Sequence, residues 1–241
     1  MIKYIILLIL SLFDYFHKRK IFNFLIKRNF TKFKTMFDIG AHKGESIKSF
    51  TKFFKIEKIY SFEASPLSYN ILRNTLPNIT SNQKGTDICI ENLAIGSEIK
   101  KIQMKHLKES SSSTIKDINS NSKYFKKKKF LFGFNAKNFY QNITVDQTTI
   151  DKYVKSRKIE QIDFLKIDTE GYEYEILKGA SENLKNIKII LFEHHYDDMI
   201  EKGYKFSDIN NILLKNNFKQ IFKIKMPFRK TFEYIYLNKS Y

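Results

Sequence analysis

One cysteine, three prolines and eight glycines are all that 241 residues contain of these types. A single thiol cannot close an internal disulfide. That excludes a disulfide-stapled secreted scaffold and fits a reducing compartment, with Cys89, inside an apolar run, as a core residue. So little proline and glycine excludes collagen-like and low-complexity classes. No His-x-x-x-His and no paired-cysteine spacing occurs, so no metal site is expected. The apolar stretch Tyr4–Phe13 is ten residues long. As a helix it reaches about 15 Å, half of a hydrocarbon core of about 30 Å, so a full membrane span is not expected. No small-x-small site follows it, which argues against a cleaved signal peptide.

Positive charge is what the chain has in excess: 43 Lys and Arg against 25 Asp and Glu, a formal net charge of +18. The excess is clustered, before residue 35 and again at Lys123–Lys129. Basic clusters suggest nucleic acid or an anionic membrane. At 42% hydrophobic the chain can build a core, and its length suits one α/β domain with an appendage. We divide it at residue 34. Segment 1–34, apolar and then basic, reads as an in-plane helical anchor on an anionic cytoplasmic leaflet; the alternatives are a helix packed on the domain with its basic face solvated, and a short span with the catalytic domain inside.

Residues 35–241 are organised around Phe37-Asp38-Ile39-Gly40-Ala41-His42-Lys43-Gly44-Glu45. A β-prone lead-in runs into two glycines, and a helix-compatible stretch follows. The second strand-like run, Lys58–Phe62, ends in Glu63, about 20 residues past the turn, where a carboxylate can accept hydrogen bonds from two ribose hydroxyls. A dinucleotide site wants a third glycine and a helix N-terminus free for pyrophosphate. Here His42 stands where a middle glycine would, and Glu45 would repel phosphate. S-adenosylmethionine fits better, having ribose and adenine but no phosphate, and carrying an ammonium and a sulfonium that Asp38 could hold. Gly40, His42, Gly44 and Glu63 complete that side of the expected cofactor site.

Further along, a helix starts at Pro66 and stops at Pro77. A third strand, Asp87–Ala94, brings Asn92 or its neighbours to the adenine. Residues 97–149 are an insertion in which Ser110–Ser113, the lysines of 123–129 and aromatic 130–134 could contact substrate or headgroups. Strand Ile162–Ile167 ends in Asp168-Thr169-Glu170-Gly171. Strand Ile187–Phe192 ends in Glu193-His194-His195. Ser207 caps a helix to Asn217, and two strands around Met226–Arg229 form an antiparallel hairpin.

The blocks at 37–45, Phe62–Pro66, Asn92–Gly96, Thr144–Asp146 and Lys166-Ile167-Asp168-Thr169-Glu170-Gly171-Tyr172-Glu173 resemble the FkbM-type family of S-adenosylmethionine-dependent methyltransferases over roughly Thr35–His195. The resemblance implies a Rossmann-like, seven-stranded, mostly parallel α/β sheet with a C-terminal antiparallel hairpin. It also implies methyl transfer, commonly to a hydroxyl of a sugar or natural-product scaffold. Ala64 stands where the family tends to have proline, which leaves the ribose carboxylate intact. Methyl transfer needs an aligned acceptor oxygen and a base for its proton. Candidates at strand carboxyl ends are Asp168, Glu170, Glu193, His194 and His195. We expect Asp168 to position the methionyl end or the acceptor, and His194 or His195 to be the base. The acceptor is expected to be a saccharide or glycolipid at the inner face of a membrane. The rivals are an RNA methyltransferase, lacking here a Pro-Pro-aromatic loop at the fourth strand, and an inactive cofactor-binding module.

Overall fold

A computed structural model describes residues 2–81, 85–107, 113–126 and 140–241. Ser110–Ser112, Lys127–Lys129 and residues 130–134 lie outside the described residues.

The chain opens with helix α1 (Ile2–Lys27) and alternates through β1 (Lys32–Ile39), α2 (Glu45–Phe53), β2 (Lys55–Phe62), α3 (Pro66–Thr80) and β3 (Asp87–Glu91). The insertion carries β4 (Ala94–Ile95), β5 (Lys100–Leu107), β6 (Asp117–Ile118) and β7 (Tyr140–Thr148). Then come α4 (Ile150–Arg157), β8 (Ile162–Ile167), α5 (Glu173–Lys178), β9 (Ile187–His195), β10 (Ile200–Glu201), α6 (Phe206–Lys215), β11 (Phe218–Lys225) and β12 (Thr231–Asn238). Seven strands form the central sheet in the order β11-β12-β9-β8-β1-β2-β3; β12 runs antiparallel to β9 and β11, and the rest are parallel. Strand order reverses between β1 and β8. A crevice outside the carboxyl ends at such a switch point is where open α/β sheets bind ligands.

Strand alternation divides the core into two faces. Met36, Phe164, Ile189, Leu191 and Ile235 pack against Ile21, Phe22 and Leu25 of α1 and Ile47 and Phe50 of α2. Phe37, Leu165, Ile190 and Phe192 pack on the opposite face against Tyr153, Ile176, Leu177 and Leu213 of the later helices. The second half of α1 therefore packs into the same core as the strands beyond residue 34. Among the described residues no helix is long and apolar enough to cross a membrane.

Three local expectations change. Helix α3 runs through Pro77 to Thr80, because Ile79 beyond it packs against the sheet face that carries α2. The third strand breaks at Asn92, whose amide donates to the carbonyls of Glu63 (2.8 Å) and Ala64 (3.1 Å), and the chain continues as β4 in a separate three-stranded sheet. Helix α6 is capped at Lys205, whose backbone N–H donates to Asp208, and not at Ser207.

Candidate active site

Gly40 takes φ +85°, and a Cβ there would lie 1.9 Å from the carbonyl oxygen of Asp168. Only glycine lets the end of β1 pass so close to the end of β8. His42 follows at φ 50°. The turn aims one backbone N–H at the Glu63 carboxylate, and the chain after β2 aims a second: Glu63 Oε2 accepts from His42 N (2.8 Å), and Oε1 accepts from Ser65 N (2.9 Å). Each oxygen keeps a second lone pair. Burial pushes the Glu63 carboxyl above its ordinary value, against the pull of the two backbone donors and His42, and the charge of Asp38 adds to the rise.

Glu63 opens into a cavity of about 350 Å³ at the switch point. Gly40, His42, Glu63, Asp168 and Glu170 all line it, so five of the expected site residues meet there. Phe62, Leu93, Ile95 and Ile115 supply an apolar wall. Among the described residues, seven carboxylates and three Lys and Arg side chains border this cavity, in a chain of net charge +18.

Asp38, Gly44, Asn92, His194 and His195 are not in its lining. Asp38 is fully buried beneath the turn, where it accepts from Ser46 Oγ and from Lys166 Nζ at 3.1 Å. Asp38 and Lys166 are register partners on adjacent parallel strands. The cation that Asp38 meets here is internal, the Lys166 ammonium, and Asp38 lies beneath the cavity rather than in its lining. Gly44, at φ +93°, presses the turn onto α3, where a Cβ would meet Ile79 at 2.7 Å and Leu72 at 2.9 Å. Asn92 fastens the end of β2 through its two carbonyl contacts.

Lys166 relays this buried charge to the cavity. Its ammonium also lies 3.4 Å from Asp168, whose side chain is 41% exposed. Burial opposes the charge on Lys166, yet Asp38 and Asp168 hold its pKa above the ordinary lysine value. Burial likewise works against ionised Asp168, but Lys166 and Lys18 keep its carboxyl below the usual range. Lys166→Met would leave Asp38 an uncompensated buried charge. We expect a loss of about 3–5 kcal/mol of unfolding free energy, read from urea denaturation.

The two histidines part company because side chains on a strand alternate. His194 points to the face of Phe192, where it packs edge-on against Tyr196 (centroids 4.8 Å) and near Phe206 (5.6 Å). Burial, with the charges of Lys202 and His195, lowers its pKa to about 4, and its Nδ1 has no hydrogen-bond partner. His195 lies on the cavity side but behind the lining. Its Nε2 is 3.2 Å from both Glu170 and Glu193; its Nδ1 is 3.1 Å from the Thr231 hydroxyl and 3.6 Å from Asp197. Burial alone would lower its pKa, but Glu170, Asp197 and Glu193 raise it well above the ordinary histidine value. His195 is held among carboxylates behind the lining and His194 faces away from the cavity, so neither histidine borders it. His194→Leu should leave turnover within a few-fold of wild type, and it removes an unpaired buried polar group at little cost to stability. A turnover assay beside a melting curve checks both.

Glu193 is the residue these histidines obscured. It lines the cavity beside His195, and its carboxyl is pushed up to about 7 by burial first and by the charge of Asp168 second, against the lowering pull of His195. Glu170, at φ 52°, does not cap the following helix, whose N-cap is Tyr172 with no side-chain cap hydrogen bond; Glu173, its first residue, reaches back to accept from Gly171 N at 3.0 Å. Glu170 instead turns its carboxylate to His195. The far wall comes from segments that no local motif marks: Asp14, His17 and Lys18 of α1, and Met226, Arg229 and Glu233 of the β11–β12 hairpin. His17 bonds to Glu233, and Arg229 donates to Asp14 at 3.1 Å.

A glycine turn at the switch point, a carboxylate closing the second strand and an antiparallel seventh strand together define a Rossmann-like methyltransferase fold. Residues 38–219 match the Methyltransferase FkbM domain, and the chain belongs to that family. The FkbM methyltransferase of Methylobacillus flagellatus superposes with a TM-score of 0.55 at 16% identity, over 84% of this chain and 43% of that one. This chain thus spans less than half the length of that protein. The magnesium protoporphyrin IX methyltransferase of Synechocystis PCC 6803, solved with bound S-adenosylmethionine, gives 0.53 at 8% identity, over 95% of this chain and 81% of that one. These likenesses show the fold. No curated protein matches the sequence.

Proposed function

We propose that the chain is an S-adenosylmethionine-dependent O-methyltransferase acting on a hydroxyl of a saccharide or glycolipid acceptor. The observation that carries this reading is the acid-lined cavity closed by Glu63 in an otherwise basic protein. The residues suit the cofactor: Glu63 has lone pairs for both ribose hydroxyls, the apolar wall of Phe62, Leu93 and Ile95 suits a purine, and the carboxylate excess suits a sulfonium and an ammonium. When bound, the cofactor supplies a methyl group already activated on sulfur.

The protein's own task is then to hold an acceptor oxygen in line and take its proton. Glu193, with a pKa near neutrality, is poised to take it. His195 stays charged among Glu170, Glu193 and Asp197 and fixes the Glu193 carboxylate in place. Asp168, kept ionised by Lys166, orients the methionyl end or the acceptor. Surplus negative charge in the cavity favours a neutral polyol over a phosphate-rich acceptor.

A second reading, methylation of RNA, draws on a basic cleft lined by Lys32, Lys34, Lys55, Arg157 and Lys158. That cleft is at the amino ends of β1 and β2. Strands of eight residues put it about 25 Å from the cavity, too far for one nucleotide to bridge. Incubation with methyl-labelled S-adenosylmethionine and extracted cell glycans and glycolipids, followed by mass spectrometry, tests the assignment. Label in glycan supports it. Label in RNA with none in glycan, together with salt-sensitive RNA binding, would replace it by the second reading.

A further inference from the structure

Helix α1 is two things along one axis. Its 26 residues extend about 39 Å. The carboxyl-terminal half is core: Ile21, Phe22 and Leu25 are buried. One turn earlier, Asp14, His17 and Lys18 line the cavity. On the same stretch Leu12, Phe13, Tyr15 and Phe16 stand in solvent, Leu12 and Phe16 each more than half exposed. Toward its amino end the helix carries Tyr4-Ile5-Ile6-Leu7-Leu8-Ile9-Leu10-Ser11, which is apolar in sequence.

A second element reaches the same patch. Phe228, in the turn between β11 and β12, is 75% exposed at φ 60°, and its ring meets Phe13 edge-on with centroids 5.0 Å apart. Its chain neighbour Arg229 lines the cavity and pairs with Asp14. The two walls that frame the far side of the cavity thus carry exposed aromatic rings on their outer edges. Exposed cations, Arg19 and Lys20, flank the rings, with half-buried Lys18 beside them. Apolar aromatic residues beside lysine and arginine are the composition of a surface that lies in the headgroup region of an anionic bilayer. No described helix is fit to cross it.

We propose that this end of the molecule docks on an anionic lipid bilayer through Leu12, Phe13, Phe16 and Phe228, and that the cavity therefore opens at the membrane surface and takes a lipid-linked saccharide. The second half rests on the methyltransferase reading above; the first does not. Charge decides the occupant: two copies of this chain, each of net charge +18, repel, whereas anionic headgroups complement Arg19 and Lys20 beside the patch.

The test uses the full chain with vesicles of phosphatidylcholine alone and of equal parts phosphatidylcholine and phosphatidylglycerol. Cosedimentation is expected with the mixed vesicles, weakened by high salt and weak on phosphatidylcholine alone. Phe16→Glu combined with Phe228→Glu should lower partitioning about tenfold or more. Neither residue lines the cavity, so the calorimetric affinity for S-adenosylmethionine should be unchanged, which also shows that the variant is folded. With lipid extract reconstituted into the mixed vesicles, the variant should incorporate correspondingly less methyl label. Equal partitioning of wild type and variant, equal binding to both vesicle types, or light scattering showing that the patch holds a dimer would overturn the docking surface. Loss of S-adenosylmethionine binding by the wild type would instead remove the methyltransferase reading and leave the vesicle result standing by itself.

Discussion

Glu193→Gln should lower kcat by about 10²–10⁴-fold, the usual contribution of a positioned general base, while cofactor affinity moves only a few-fold. The amide keeps the size of the side chain and can still meet His195 Nε2, 3.2 Å from the native carboxylate. What it loses is the ability to accept a proton. The sign of the pH dependence follows from the raised pKa. A base must be deprotonated to work, so the wild-type rate should rise with pH through a midpoint close to 7, the value to which Glu193 is pushed. In the variant that rise should disappear. His195 supplies a control: His195→Gln removes the positive charge that pulls the Glu193 pKa down, so the midpoint should move up while the rate at its plateau survives. If the rate-controlling group were His195 itself, the plateau would go as well. Initial rates across the pH range on all three proteins check this.

Glu63→Gln is expected to weaken S-adenosylmethionine binding by about 10²-fold or more. A hydrogen bond to a charged acceptor contributes about 1.5–3 kcal/mol, and two hydroxyls are served by one carboxylate. The structure adds a second cost. Both oxygens of Glu63 already accept a backbone N–H, from His42 and from Ser65. The amide of glutamine must turn its NH2 toward one of these donors, leaving that buried N–H unpaired and costing about 1–3 kcal/mol of stability. Titration calorimetry and urea denaturation separate the two effects. Loss of stability with unchanged affinity would make Glu63 a turn-fixing residue alone.

The first βαβ unit and its turn were legible because their signals are local. An apolar lead-in, two glycines and an acidic residue at the end of the next strand are fixed by backbone geometry within some 25 residues. The strand ends carrying Asp168 and Glu193 were legible for the same reason. Which face each side chain takes was also available: Phe192 and His194 share one side of β9, Glu193 and His195 the other, and period-two alternation alone would have removed His194 from the catalytic set. The lysine partner of Asp38 was not legible, because an acid at a strand end beside a glycine turn looks the same whether its partner is a ligand or the lysine facing it. Only the pairing of β1 with β8, 128 residues apart, tells them apart.

The far wall was beyond local reading. Asp14 and Arg229 meet across 215 positions, and His17 and Glu233 across 216. Nothing near Asp14 in the sequence points to the hairpin. The apolar and basic character of the first 34 residues suggested either an anchor or a packed helix, and α1 divides the two: Ile21, Phe22 and Leu25 pack, while Leu12 and Phe16 stay outside. Such a division depends on where the sheet ends beneath the helix, which no periodicity in α1 records.

The central claim is that a cavity rich in carboxylates receives an adenosyl group bearing positive charge. Titration calorimetry of the purified chain with S-adenosylmethionine, and separately with a nicotinamide dinucleotide, addresses it most directly. The account predicts one-to-one binding of the sulfonium compound and none of the pyrophosphate compound. Saturable binding of the dinucleotide, with no heat from S-adenosylmethionine, would contradict it.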